Sequence, residues 1–122
     1  MWTIQKSHFK MVNKKEIGKQ MFKSLDEYKE LIREWSDARG IIANGKPMSQ
    51  AIKTLEETTE LLDALNINDD AEVKDAIGDI FVTLCNVCFT AGLDINDCVD
   101  GSYNVIKNRT GYLREDGTFV KD

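Results

Sequence analysis

Pro47 is the only proline in 122 residues, and long stretches of the chain lack glycine. Proline removes a backbone donor and blocks helix interiors, and glycine costs backbone entropy, so a chain that avoids both favours helices. No sustained two-residue alternation of apolar and polar residues offers strands instead. Start and stop signals then divide the chain. Ser24 and Glu27 in "SLDE" form a capping box. A helix runs from there through Tyr28, Leu31, Ile32 and Trp35 to about Arg39, with Gly40 as its stop. "ANGKPMS" (43–49) reads as a loop, and a second helix covers roughly 49–65 with Ser49 as its cap. "NINDD" (66–70) is a short polar break. A third helix covers about 70–91 and ends at Gly92; a fourth, capped by Asp94, covers about 95–109 and is closed by Gly111. The tail "YLREDGTFVKD" (112–122) carries a turn signal at Asp116-Gly117, for a small hairpin or an extended strap. Residues 1–23 receive no element. Four helices with short connections predict an all-α fold, a four-helix antiparallel bundle with a short C-terminal extended tail. The length, with no internal repeat or linker, predicts one domain over 1–122.

The net charge of −5 argues against nucleic acid as a partner. An acidic chain still accepts a phosphorylated ligand if metal cations bridge the two. The opening "MWTIQKSHFKMVNKKE" has no apolar run of the signal-peptide kind. No stretch reaches the roughly 18 apolar residues of a membrane helix. A cytoplasmic setting without a membrane partner is the expectation. Cys85, Cys88 and Cys98 are an odd count, which fits reduced thiols. Cys85 and Cys88 form a CxxC, a spacing used by zinc and redox sites. Here it falls inside "IFVTLCNVCF", with no turn around it, and His8 is the only histidine. Core packing is the expected role.

The charge of the second helix is concentrated. At about 100° per residue, Glu56, Glu57, Glu60 and Asp63 share one arc of roughly 120°, and Lys53 lies inside it. Leu55, Leu61, Leu62 and Leu65 take the remaining directions. The third helix repeats the pattern: Glu72, Asp75, Asp79 and Asn86 form a narrow stripe with Thr83 beside it. Almost every other direction is apolar, which predicts burial nearly all round. Each stripe read alone is a solvated outer face, with Lys53 pairing Glu57 at i, i+4. Facing each other, the two stripes form a carboxylate cluster that cannot stay fully ionised without a cation. Hard oxygen donors in such number suit Mg²⁺ or Mn²⁺, and magnesium often binds through a few carboxylates plus substrate phosphates. The chemistry implied is metal-assisted attack of water on phosphorus.

"KTLEETTEL" (53–61) resembles the K-x-x-EExxE-L signature of the MazG-like all-α nucleoside triphosphate pyrophosphohydrolases. "DAIGDIFVTL" (75–84) resembles their second motif, "EWSDARGI" (34–41) their first helix, and "SYNVIKNRTG" (102–111) their fourth. The likeness covers about residues 25–120. EExxE alone occurs in many helices; the four segments in order are more specific. The second motif departs from the family's ExxD, because Ala76 stands three residues before Asp79. Asp75, at i−4, keeps to the same face and is the candidate to supply the missing oxygen.

The resemblance implies that Glu57, Glu60 and Asp79 ligate metal. It implies that Glu56 orients or deprotonates the attacking water, or is itself a ligand. Asn104 and Lys107 match positions that meet phosphates, as does Arg109, and Lys53 fits a place near the phosphates or beside the acidic cluster. Lys107 and Arg109 also complement a helix C-terminus without any ligand. Trp35 is read as core in preference to base-stacking. The implied activity converts a nucleoside triphosphate, with a deoxynucleotide as the expected substrate, to the monophosphate and pyrophosphate by attack at the α-phosphorus. The implied assembly is a homo-oligomer, a dimer or tetramer, with sites near subunit contacts. The competing reading is a helical oligomer that binds metal or nucleotide without turnover. No motif specifies the base.

Overall fold

A computed structural model of the chain describes residues 22–122. The segment 1–21, including His8, lies outside the described residues. Helix α1 spans Leu25–Ala38, and the expected capping box is formed. Ser24 Oγ accepts from the Glu27 amide at 3.1 Å, and Glu27 Oε1 accepts from the Ser24 amide at 2.9 Å. These bonds to its charged form hold the Glu27 carboxyl below its ordinary pKa.

Residues 43–49 are not simply a loop. Gly40, at φ 77°, starts a single turn, α2 (Ile41–Asn44), and α3 then begins at Pro47 and runs to Asn66. The cap of α3 is therefore Lys46, not Ser49. Proline suits the first helical position, where no hydrogen bond is lost and its φ is already helical. Gly45 sits between α2 and α3, where an added Cβ would collide with the Ile41 carbonyl.

Helix α4 (Asp70–Ala91) returns antiparallel along α3, and these two helices make the main body of the fold. Gly92 ends α4 at φ 72°, in the left-handed region. A Cβ there would meet nothing within 4 Å, so Gly92→Ala isolates backbone strain. It is expected to lower stability by about 1–2 kcal/mol in a denaturant melt, with no change of activity.

Helix α1 lies on α4 through its face at Tyr28, Ile32 and Ser36. The Arg33 guanidinium stacks on Phe89 at 4.3 Å. Cys85 is fully buried, Cys88 is buried, and burial pushes the Cys85 thiol up to about 11. The CxxC is core, as expected, and supplies neither a thiolate nor a turn.

Helix α5 spans Ile95–Ile106, shorter than the expected 95–109, and meets α4 at 109°. Its first turn is tied to α1, where Lys29 Nζ donates to Asn96 Oδ1 at 2.9 Å and Asn96 donates to Asp26 at 2.9 Å. Beyond that turn it leaves the body, and Val99, Tyr103, Val105 and Ile106 are exposed. Gly111 does not close α5 but opens strand β1 (Gly111–Leu113), which pairs antiparallel with β2 (Phe119–Lys121) around Asp116-Gly117. Tyr112 stands opposite Val120.

Among the described residues, four long helices are present but α5 does not close a bundle with α1 and α3. Nor is α4 covered all round by the described residues: Ile77 and Leu84 are exposed. No single described helix is long and apolar enough to cross a membrane.

Candidate metal and nucleotide site

The seam between α3 and α4 carries the site. On α3 the residues turned toward α4 are Gln50, Thr54, Glu57, Thr58, Leu61 and Ala64, spaced three and four apart. Thr54 and Thr83 fix the register: the Thr54 hydroxyl donates to Thr83 Oγ1 at 2.9 Å, and Thr83 donates to the Ile80 carbonyl at 2.9 Å. One turn along from that pair, Glu57 of α3 meets Asp79 of α4.

The Asp79 carboxyl is near enough for its charge to act on Glu57. Glu57 is pushed above its ordinary pKa, first by burial, then by the charges of Glu60 and Asp79, with Lys53 opposing. Its Oε1 is the one fully buried side-chain oxygen or nitrogen without a hydrogen-bond partner among the described residues. A buried acceptor in that state costs about 1–3 kcal/mol. A proton or a cation relieves it.

Glu56, Glu60 and Asp63 stand on the exposed side of the same helix. Lys53 pairs with Glu56, not Glu57, its Nζ lying 3.2 Å from Glu56 Oε1. Glu57 is turned into the seam, away from the ion pair expected at i, i+4. The opposing motif divides differently. Counting seven residues back from Thr83 and seven forward from Thr54, Ala76 falls across from Leu61. Ala76 is 4% exposed. The place where the family pattern has glutamate is thus in the seam, and here it holds a methyl group. Asp75 is a step of about 100° away and exposed, and it is not among the charges acting on Glu57.

Lys53, Glu60 and Asp79 are thus the groups whose charges act on Glu57, and Asp75 is not among them. Among the described residues no three carboxylate, cysteine or histidine side chains are already grouped closely enough to hold a metal ion. Asn104, Lys107 and Arg109 are exposed on or just after α5. From the helix rise and the 109° bend, Lys107 lies roughly 20 Å from Asp79. Asn104 donates to Asp100 at 3.1 Å.

A cavity of about 290 Å³ opens beside Glu57 and Asp79. Its walls include Trp35, Ile41, Gln50, Lys53, Thr83 and Asn86. Its volume is at the small end for organic ligands. Trp35, expected in the core, is 47% exposed and forms a wall, with the Arg39 guanidinium 4.3 Å from its ring. At the cavity edge the Ser36 hydroxyl donates to Asn86 Oδ1 at 2.6 Å, and both residues are buried. Asn86 was visible as part of the polar stripe of α4. Ser36 was not singled out, although its spacing of four from Ile32 places it on the inner face of α1.

The chain is mostly helical, with acidic motifs on two adjacent antiparallel helices. The chain belongs to the family of the MazG nucleotide pyrophosphohydrolase domain, whose profile matches residues 46–112. That span covers α3, α4, α5 and the first two residues of β1. The chain is also 36% identical over 53 residues to an uncharacterized 18.2 kDa protein in the rep-hol intergenic region of Haemophilus phage HP1 (strain HP1c1). The match covers 43% of this chain and about a third (32%) of that phage protein. No solved structure matches.

Proposed function

We propose that the protein is a divalent-metal-dependent nucleoside triphosphate pyrophosphohydrolase, releasing pyrophosphate and a nucleoside monophosphate, with deoxynucleotides as substrates. The observation that carries this reading is Glu57 Oε1, buried without a partner between Glu60 and Asp79. A seam that concentrates negative charge against its own stability is suited to a cation. Glu57, Glu60 and Asp79 would hold Mg²⁺, or Mn²⁺ in its place, through hard oxygen donors. When bound, the metal neutralises phosphate charge and lowers the pKa of the attacking water.

The remaining roles fall to the chain's own groups. Lys53 lies in the cavity wall and holds Glu56. An arriving triphosphate competes for that ammonium and frees the Glu56 carboxylate to orient or deprotonate water at the α-phosphorus. Asn104, Lys107 and Arg109 stand too far away to serve the seam of their own chain. They fit the phosphates of a site in a second copy, within a dimer or tetramer. Apolar residues on the outer face of α3 and at Ile77 and Leu84 of α4 support such an assembly. The three free thiols fit a cytoplasmic setting.

The test is incubation with a dNTP pool and Mg²⁺. Monophosphate and pyrophosphate are the expected products. Orthophosphate with a diphosphate would instead mean cleavage at the γ-phosphate. The absence of pyrophosphate from every canonical and modified nucleotide would leave the second reading, a metal- or nucleotide-binding oligomer without turnover, which Ala76 and the ungrouped carboxylates favour. Asp75→Ala reports the ligand set. From the register, turnover and Mg²⁺ affinity should stay within about threefold of the parent, less than one hydrogen bond to a charged group contributes. A strong loss of both would place Asp75 among the ligands.

A further inference from the structure

We propose that Asn86, held by Ser36, is the residue that reads the nucleobase, and that it selects bases with a carbonyl at the position farthest from the sugar. The inference rests on the nucleotide reading above and extends it to the identity of the substrate.

The orientation of the Asn86 amide follows from one distance. Ser36 Oγ lies 2.6 Å from the amide oxygen, a length usual for O–H···O and short for N–H···O. The hydroxyl is therefore the donor, and the amide oxygen is spoken for. The amide nitrogen donates to no other described residue. Nor is it sealed in the interior, since Glu57 Oε1 is the one fully buried side-chain oxygen or nitrogen left without a partner among the described residues. Asn86 lines the cavity, so its two N–H donors are available to a ligand there.

Asn86 is 4% exposed and Ser36 is fully buried, so the pair marks the closed side of the cavity. Lys53, Glu57 and Asp79 mark its phosphate side. A nucleotide with its phosphates at those charges inserts its base with the edge distal to the sugar leading. That edge carries C4 of a pyrimidine or C6 of a purine. A carbonyl there accepts from Asn86, whereas an amino group presents donors to a donor. Trp35 supplies an aromatic wall for the ring. Of the other polar wall residues, Thr83 already donates within its own helix.

The experiment compares pairs that differ at that edge, where the carbonyl and ring N–H of dUTP and dITP are replaced by the amino group and bare ring nitrogen of dCTP and dATP, by kcat/KM for pyrophosphate release with Mg²⁺. The parent protein is expected to favour the carbonyl member of each pair by about tenfold or more, since a pocket built to hydrogen-bond a group rejects an analogue that lacks it. Asn86→Asp, which puts an acceptor where the donors were, should collapse or invert both ratios. Ser36→Ala is the milder variant: it frees the amide to flip and should lower both ratios severalfold, mainly through KM. Thermal melts and α-helical circular dichroism confirm that each variant is folded. If Asn86→Asp does not fold, Ser36→Ala decides. Ratios near one in the parent, or ratios unchanged in the folded variants, overturn the inference while turnover leaves the pyrophosphohydrolase reading standing. No pyrophosphate from any of the four nucleotides overturns that reading and the inference with it.

Discussion

Asp79→Asn and Glu57→Gln are each expected to lower pyrophosphate release by about a hundredfold or more, while the metal-free protein becomes more stable. Loss of one ligand carboxylate removes several kcal/mol of charge stabilisation, and each 1.36 kcal/mol is a factor of ten in rate. Stability moves the other way because the seam holds like charges together. In Glu57→Gln the side chain is neutral at every pH, so the repulsion that Glu60 and Asp79 exert on Glu57 is gone. A residue kept only for structure would lose activity and stability together. Opposite signs are the mark of a cation site.

The pH dependence sharpens the same test. Glu57 is held above its ordinary value of 4.5 by burial and by Glu60 and Asp79. A raised folded-state value means that the folded protein keeps the proton longer than the unfolded chain. The contribution to stability is therefore fully present below about 4.5 and is lost as pH rises through the raised value. Glu57→Gln removes that slope, so the difference between the two melting curves should grow with pH across that window and then level off. Mg²⁺ binds the deprotonated form, so the metal-induced rise in Tm should shrink as pH falls into the window. A parent and variant with parallel pH profiles would show that Glu57 does not titrate as the seam requires.

The second large effect concerns assembly. Met48, Ile52, Leu55, Leu62 and Leu65 are all more than half exposed and follow one another at helical spacing along the outer face of α3. Scattered exposed leucines are ordinary on a protein surface, but a continuous stripe on one helix marks a contact. The double change Leu55→Glu with Leu62→Glu is expected to dissociate the proposed oligomer in light scattering. Burial of a leucine contributes about 1.5–3 kcal/mol, so losing two weakens association by roughly a hundredfold or more. If Asn104, Lys107 and Arg109 serve a neighbouring subunit's phosphates, turnover should fall in step with dissociation. Turnover unchanged in a monomer would place those three residues outside the site.

How much of this was legible in the chain differs from element to element. The capping box at Ser24, the glycine stop at Gly92 and the Asp116-Gly117 turn were readable because each rests on local backbone chemistry within a few residues. The start of α3 was misplaced because Ser49 and Pro47 both signal a helix start, and the fixed φ of proline decided it. Family membership was readable from ordered motifs.

Geometry across helices was not. Helix rotation places Glu56, Glu57, Glu60 and Asp63 on one arc and gives all four the same claim to the seam. Packing against α4 chose Glu57, the residue that shares a spacing with Thr54 and Leu61. The same register set Ala76 inside and Asp75 outside, a distinction of 100° that a face-level reading merges. The course of α5 depends on the bend after Gly92 and on the Lys29–Asn96 tie, both of which join residues far apart in sequence. By itself, then, the chain determined helices, their caps and the chemistry available on each face, because these follow from neighbours one to four residues away. Only the tertiary structure decided that Glu57 has an oxygen buried in the seam and that Ser36 bonds Asn86 beside a cavity, because those facts arise where separate helices meet.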